Sequence, residues 1–273
     1  QAAYQREAES IVWAACDNGD LLSMSYEREH DLVAWAKQLL GGSYSTTTNA
    51  IVESVCVIPS PDGTRDELYV SAKMTINAQT KRLIGYLEDH WDEATDDLED
   101  QFYVDWGLTY SGVAASTISG LHHLEGATVS VLGDGRDLGD YVVSGGQIDL
   151  GSASVTKAQV GLPYTATLES MNIVRPGMQT RMINVWVRFI ATVSAAWQTI
   201  TQLVASSETS TVRAIDLGNV VVSSVAQPVT RLVKAPGESG HGRELSWLIT
   251  HDRPTYCAVA GVIPDTVNIG KDG

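Results

Sequence analysis

The sequence predicts an all-β fold. Runs of helical period are scarce, while short alternating apolar segments bounded by Gly, Asp, Asn and Pro recur along the whole chain. Turn dipeptides such as Asn18-Gly19 also sit between alternating runs, where they supply the backbone conformations a tight hairpin demands. Hydrophobic residues at 44% and charged residues at 19% describe a chain able to bury a core rather than a disordered one.

Taken in order, Ile11 to Cys16, the Asn18-Gly19 turn and Leu21 to Tyr26 predict a hairpin, and Asp31 to Lys37 a third strand after the charged Glu27-Arg28-Glu29-His30 turn. Ile51 to Ile58, Glu67 to Ile76 and Thr80 to Glu88 repeat this plan, with turns at Pro59 to Asp66 and at Asn77-Ala78-Gln79. Two units of three or four strands at roughly forty-residue spacing match the period of β-propeller blades. Two blades cannot close a ring, so the expectation is that further blades precede Gln1.

Residues 91–101 are predicted to be an acidic linker after a blade-like segment at 1–90. From Glu88 to Asp100 acids dominate and no Lys or Arg occurs. The spacing of a calcium loop is absent. A small β-barrel or sandwich is expected over 102–170, with Gly133-Asp134-Gly135-Arg136 and Ser144-Gly145-Gly146 as hairpin turns. Over 171–273 a C-terminal β region follows. It has a Pro176-Gly177 break, a strand from Arg181 to Phe189 with Ile183, Val185, Val187 and Phe189 on one face, and a polar loop at 206–211. A closing hairpin turns at His251-Asp252-Arg253-Pro254.

The charge balance excludes several function classes. Against 33 Asp and Glu stand 18 Lys and Arg, a net charge of −15. A groove that grips nucleic acid needs clustered basic residues, and docking on an anionic membrane needs the same. The apolar-leaning run at 183–204 is broken by Asn184, Arg188, Gln198 and Gln202, so it does not read as a membrane span. Cys16, Cys56 and Cys257 are scattered and odd in number, and read as buried thiols in a reducing compartment rather than a disulfide framework.

No catalytic, cofactor-binding or metal-ligating set emerges. His122 and His123 with Glu125 resemble a ligand cluster, but adjacent histidines on a strand face opposite ways. Gly237 to Gly242 departs from a nucleophile elbow, since His241 stands where glycine is needed. The pairs Asp17/Asp20 and Asp134/Asp137 flank hairpin turns, where Asp is favoured for its backbone hydrogen bonds. Among seven tryptophans, Trp13, Trp35, Trp186 and Trp247 lie in alternating strands and read as core or interface residues before sugar platforms.

Five motifs carry a resemblance. Ile58 to Leu68 (Ile-Pro-Ser-Pro-Asp-Gly-Thr-Arg-Asp-Glu-Leu), Asp105-Trp106-Gly107-Leu108-Thr109-Tyr110, Gly120-Leu121-His122-His123-Leu124-Glu125-Gly126, Val143-Ser144-Gly145-Gly146 and Val160-Gly161-Leu162-Pro163-Tyr164 occur in that order. Together they resemble the tail nozzle, or tail tubular B, proteins of short-tailed phages, also called packaged-DNA stabilisation proteins. The likeness runs from about Trp13 to Ala166 and returns near His251-Asp252-Arg253-Pro254 and Val262-Ile263-Pro264. Between about Ala191 and Leu232 the chain departs from the pattern, with Ser/Thr-rich sequence in place of a hairpin.

The resemblance implies a structural virion protein with no catalytic residues and no cofactor. Its copies would form a ring, usually a homohexamer, beneath the tail adaptor protein and beside fibres or spikes. The lumen would retain the genome and conduct it on ejection without binding it specifically. A carbohydrate-binding tail adhesin is the alternative, and a glycoside hydrolase stands third.

Overall fold

The computed structural model describes the chain except residues 8, 28, 30, 175–178, 203–206, 210–212, 220, 237–243 and 270–273. Outside the described residues therefore fall the Gly237 to Gly242 stretch, the Pro176-Gly177 break, parts of the 27–30 turn and parts of the polar loop at 206–211. The protein is all-β, with no α-helix among the described residues and several antiparallel sheets. It divides into two compact units, residues 1–164 and 165–273.

The first unit opens with β1 (Ala2–Gln5), β2 (Ile11–Ala15), β3 (Leu21–Glu27) and β4 (Leu32–Gln38), a four-stranded antiparallel meander in chain order. The Asn18-Gly19 hairpin joins β2 to β3, with Ala15 opposite Leu21. Next come the short hairpin β5 (Ser43–Ser45) and β6 (Thr48–Asn49), then β7 (Ile51–Pro59), β8 (Asp66–Ile76) and β9 (Gln79–Tyr86) as a three-stranded meander. On β8 the alternation is strict: Leu68, Val70, Ala72, Met74 and Ile76 are all buried, which is why this strand takes the central place.

β10 (Asp105–Ala115), β11 (Thr117–Ser119), β12 (Thr128–Gly133), β13 (Arg136–Val142), β14 (Gln147–Asp149) and β15 (Val155–Leu162) complete the unit. They form a sheet ordered β10-β15-β12-β13 and a separate pair β11-β14. The turn at Ser144-Gly145-Gly146 is closed by a Ser144–Gln147 bridge, but β14 pairs with β11 rather than folding back along β13. No sheet closes into a barrel among the described residues.

One apolar cluster runs from Trp13 and Leu21 through Val55, Leu68 and Met74 to Ile118, Leu124, Val131, Val160 and Leu162. The segments 1–90 and 102–164 thus share a core, and the compact unit ends at Tyr164, where the sequence suggests a boundary near 170. A shared core buries apolar area that neither set of strands covers alone.

The second unit contains β16 (Ala166–Glu169), β17 (Ile173–Val174), β18 (Gln179–Thr192), β19 (Ala196–Gln202), β20 (Ser207–Thr209), β21 (Arg213–Ala214), β22 (Val221–Val222), β23 (Val225–Ala226), β24 (Val229–Pro236), β25 (Glu244–His251) and β26 (Ala258–Ile269). One sheet is ordered β24-β18-β26. Another runs β16-β25-β19-β20, with β17 on β25 and β21 on β19, and β22 pairs with β23.

Two sequence expectations change here. Ile183 is 40% exposed, while Met182, Val185, Val187 and Phe189 are fully buried. A register irregularity between Met182 and Asn184 swaps the faces at that point, as a bulge does. The expected closing hairpin is also replaced: β25 pairs with β19 and β16, whereas β26 pairs along β18. The chain turns a corner between sheets, where the His251 ring bonds the Thr255 carbonyl at 2.6 Å.

Within the first unit β10 and β15 approach unusually closely beside a β-bulge, where Trp106 has φ 54°. A Cβ on Gly107 would lie 2.5 Å from the Val160 oxygen, and one on Gly161 would lie 2.7 Å from the Asp105 oxygen. Both obstacles are backbone atoms, which cannot swing aside as a side chain does. Gly161→Ala is therefore expected to lower the unfolding free energy by roughly 2–4 kcal/mol, read as the shift in denaturant midpoint. Gly261→Ala on β26, which meets nothing within 4 Å, is expected to leave that midpoint within about 0.5 kcal/mol.

Candidate functional site: an acidic cleft and the clamp beside it

The segment after β9 folds back on the first unit and walls a cleft of about 710 Å³ lined by Arg65, Glu88, Asp89, Asp92, Asp96 and Asp100 among others. Its anchor is apolar. Trp91 is 6% exposed, its indole N–H donates to the Asp97 carbonyl at 2.9 Å, and its backbone N–H donates to the Tyr103 hydroxyl. Gln101, at 1% exposed, fixes the far end. The expected linker is thus a docked loop, held because an indole buried in the unit brings the neighbouring acids with it.

The carboxylates of the loop largely serve its own backbone. Asp92 accepts from the Ala94 N–H at 2.9 Å, Asp96 accepts from the Asp92 N–H at 2.9 Å, and Asp89 accepts from the His90 N–H at 3.0 Å. Such bonds fix tight turns without a regular ladder. Among the described residues only the two ends form ion pairs with cations. Arg65 reaches Asp89 at 2.7 Å, Glu88 at 3.5 Å and Glu67 at 3.7 Å. Lys157 binds Asp100 and lies 3.8 Å from Glu99. Asp89 first, and Glu88 beside it, hold the Arg65 guanidinium above its ordinary value, and Asp100 does the same for the Lys157 ammonium. Between these staples, Asp92, Glu93, Asp96 and Asp97 form no ion pair among the described residues. The stretch presents an excess of negative charge to solvent, with Asp97 alone within electrostatic reach of Lys157 among the described residues.

Beside the cleft, the motif residues interlock. The Asp105 carboxylate accepts the Gly41 N–H at 2.5 Å, while the Trp106 indole donates to the Gly41 carbonyl at 3.2 Å. His123 bonds the Trp106 carbonyl at 2.8 Å, and Lys81 donates to the His123 carbonyl at 3.1 Å. Glu125 receives the Gly146 N–H at 2.6 Å and the Gly145 N–H at 2.9 Å, and these two bonds hold its carboxyl below the usual range. Asp62 is held at about 2 by the Ser60 hydroxyl at 2.5 Å, then by the Thr64 N–H and hydroxyl. Burial pushes the Asp105 carboxyl up to about 6, opposed only by the Gly41 bond.

Several chemically suggestive residues of the sequence make structural contacts. His122 and His123 lie in a 3-10 turn at His122–Leu124. Asp134 accepts the Thr156 N–H, the Thr156 hydroxyl and the Lys157 N–H, each at 3.0 Å. Asp137 accepts the Gly139 N–H, and Asp20 pairs with Lys37 at 2.8 Å. Among the described residues no group of three or more His, Cys, Asp or Glu could hold a metal ion. Trp13 is core, whereas Trp35 is 62% and Trp186 38% exposed. The cysteines depart from the buried-thiol expectation: Cys56 is exposed, because it lies on the outward face of β7, and Cys16 and Cys257 are half-buried.

Gly41, Lys81 and Lys157 complete this arrangement without any signal of their own in the sequence, whereas Arg65 belongs to the Ile58 to Leu68 motif. Gly41 stands 64 residues from Asp105, so no local pattern could pair them. Among the described residues no helix is long and apolar enough to cross a membrane. In comparisons with known proteins, no family model matches the chain. No curated protein matches it either.

Two measurements test the clamp and the turn. The folded state holds the Asp105 proton more tightly than the unfolded chain, so this group's contribution is present at low pH and lost as pH rises from about 4 to about 6. Asp105→Asn keeps an acceptor for the Gly41 N–H without the charge. The stability difference between Asp105→Asn and wild type is expected to shift in favour of the variant by about 2–3 kcal/mol between pH 4 and pH 7, measured by denaturant titration at each pH. At the turn, a Cβ on Gly146 would fall 2.1 Å from the His122 ring at φ +70°, while one on Gly145 meets nothing within 4 Å at φ +64°. Gly145→Ala is expected to cost about 1 kcal/mol and Gly146→Ala at least twice that, compared as thermal midpoints.

Proposed function

We propose that this chain is a subunit of the tail nozzle of a short-tailed phage, a virion ring that retains the packaged genome and conducts it on ejection. The observation that carries the reading is the set of five ordered motifs, read with where their residues lie. Asp62, Asp105, Trp106, His123, Glu125, Gly146 and Gly161 each make a turn-fixing or strand-joining contact in the first unit. Motifs that share such contacts specify a common scaffold rather than a common reaction.

In this reading the meanders β1–β4 and β7–β9 are two consecutive propeller-type blades, and the β10–β15 region is the small β domain inserted beside them. The partners are further copies of the chain, the tail adaptor, and fibres or spikes. The acids of residues 92–97 face the DNA channel, where unpaired carboxylates repel phosphates and keep the wall from holding the genome by counterion release. A basic wall would act as a brake. Two exposed indoles, Trp35 and Trp186, favour the carbohydrate-binding adhesin as a second reading.

The expected assembly is a ring of about six copies, read by light scattering and by imaging of the particle. A monomer or trimer that binds a glycan through Trp35 would sink the nozzle reading. Replacing Asp92, Asp96 and Asp97 together by lysine is expected to slow genome release from particles severalfold, with the delay shrinking as salt is raised. An image that puts these acids on the outer surface, with Lys and Arg lining the lumen, would remove the channel role.

A further inference from the structure

The strands β4 and β9 each close a meander and leave one edge open. Among the described residues β4 is hydrogen-bonded only to β3, and β9 only to β8. Six residues of β4 in succession, Leu32 to Lys37, are exposed on both faces. Leu32 is 48%, Val33 55% and Trp35 62% exposed, and on β9 Ile84 is 77% and Tyr86 51% exposed. An apolar strand open at its edge and on both faces is a template for pairing with another chain, and natural proteins blunt or cover such edges.

The two edges match each other. Aligned from Asp31 and Arg82, the segment Asp31-Leu32-Val33-Ala34-Trp35-Ala36-Lys37 stands beside Arg82-Leu83-Ile84-Gly85-Tyr86-Leu87-Glu88. Leu meets Leu, Val meets Ile, Ala meets Gly and Trp meets Tyr, while the charged ends are opposite in sign. In this register Asp31 faces Arg82 and Lys37 faces Glu88. Parallel pairing keeps each such couple on one face of the joined sheet.

Antiparallel self-pairing would also set opposite charges together, Asp31 against Lys37 or Arg82 against Glu88, but it brings Val33 rather than an aromatic ring against Trp35. Unlike edges joined head to tail form a heterologous contact, which closes into a ring when the rotation per copy allows it, whereas a like-with-like contact stops at a dimer.

We propose that β4 of one copy pairs in parallel with β9 of the next copy in this register, and that this contact builds the ring. The inference rests on the nozzle reading and names its subunit joint. Among the described residues Asp31 has no ion pair; Lys37 pairs with Asp20, Arg82 with Glu53, and Glu88 with Arg65 and Tyr86, and the Lys37, Arg82 and Glu88 side chains are themselves exposed enough to share a second charge. Trp35 against Tyr86 forms the apolar centre, where aromatic anchors dominate contact energy.

The experiment uses the full chain in a Cys56→Ser background. Neighbouring strands bring Cα atoms within disulfide reach, so Trp35→Cys with Tyr86→Cys is expected to give a ladder of covalent multimers after mild oxidation, while each single variant stays monomeric on a denaturing gel. Trp35→Asp is expected to lose at least tenfold of the assembled form with an unchanged thermal midpoint. Val113→Asp, at an 83% exposed site on β10, is expected to assemble as wild type does. Covalent dimers from Trp35→Cys alone would mean a two-fold contact and overturn the proposal. A wild-type ring with no ladder from the double variant would also overturn it, and would leave the ring reading standing. A chain that stays monomeric at every concentration would overturn both.

Discussion

The closest constraint in the first unit is the passage of three backbone segments around Asp105-Trp106-Gly107. Gly161 on β15 lies so near Gly107 and Asp105 that neither glycine has room for a methyl group. From the other side the backbone of Gly41 is gripped by the Asp105 carboxylate and the Trp106 indole. Through this crossing the loop after β4 is tied to the β10-β15-β12-β13 sheet. The His123 bond to the Trp106 carbonyl then ties in the 122–124 turn, and Glu125 ties that turn to Gly145-Gly146. A buried carboxyl with one partner is an expensive way to hold a loop. The cost is tolerated because the Gly41 N–H would otherwise be unpaired in the same place.

The same unit shows how a chain of strongly negative charge keeps an acidic loop in a defined shape. Trp91 supplies the burial, Arg65 and Lys157 neutralise the two ends, and turn bonds order the middle. Exposed ion pairs contribute little individually, so the loop owes its place more to the indole and the backbone bonds than to charge pairing. What the cations accomplish is local: they remove repulsion where acids meet the packed sheets and leave the carboxylates between them facing solvent. A surface that repels polyanions and an unsplayed fold are thereby compatible.

How much was legible in advance differs from element to element. β2 to β4 and β7 to β9 are readable because each is a short run with several apolar residues punctuated by turn residues such as Asn18-Gly19 and Asn77. β1, four residues long, is too short to declare itself and is recruited by pairing with β2. The face of Ile183 was misread because a bulge shifts the period by one, and a bulge leaves no compositional mark. The end of the chain reads as two strands about a turn at His251-Asp252-Arg253-Pro254, the second stopping before Pro264, yet β25 and β26 pair with β19, β16 and β18 rather than with each other, and β26 runs through Pro264 to Ile269.

The sequence by itself determined the all-β class, the positions of most strands, the acidity of residues 88–100 and the turn character of Ser144-Gly145-Gly146. These follow from local backbone preference and from a side-chain period that needs no distant partner. Only the tertiary structure decided that residues 1–90 and 102–164 share one core, that the acidic stretch is docked by Trp91, and that Asp105 holds Gly41. It also decided that β4 and β9 remain as open edges. Each of those outcomes depends on which apolar faces find each other across long separations in the chain, and that choice is made by summed burial over the whole unit rather than by any segment alone.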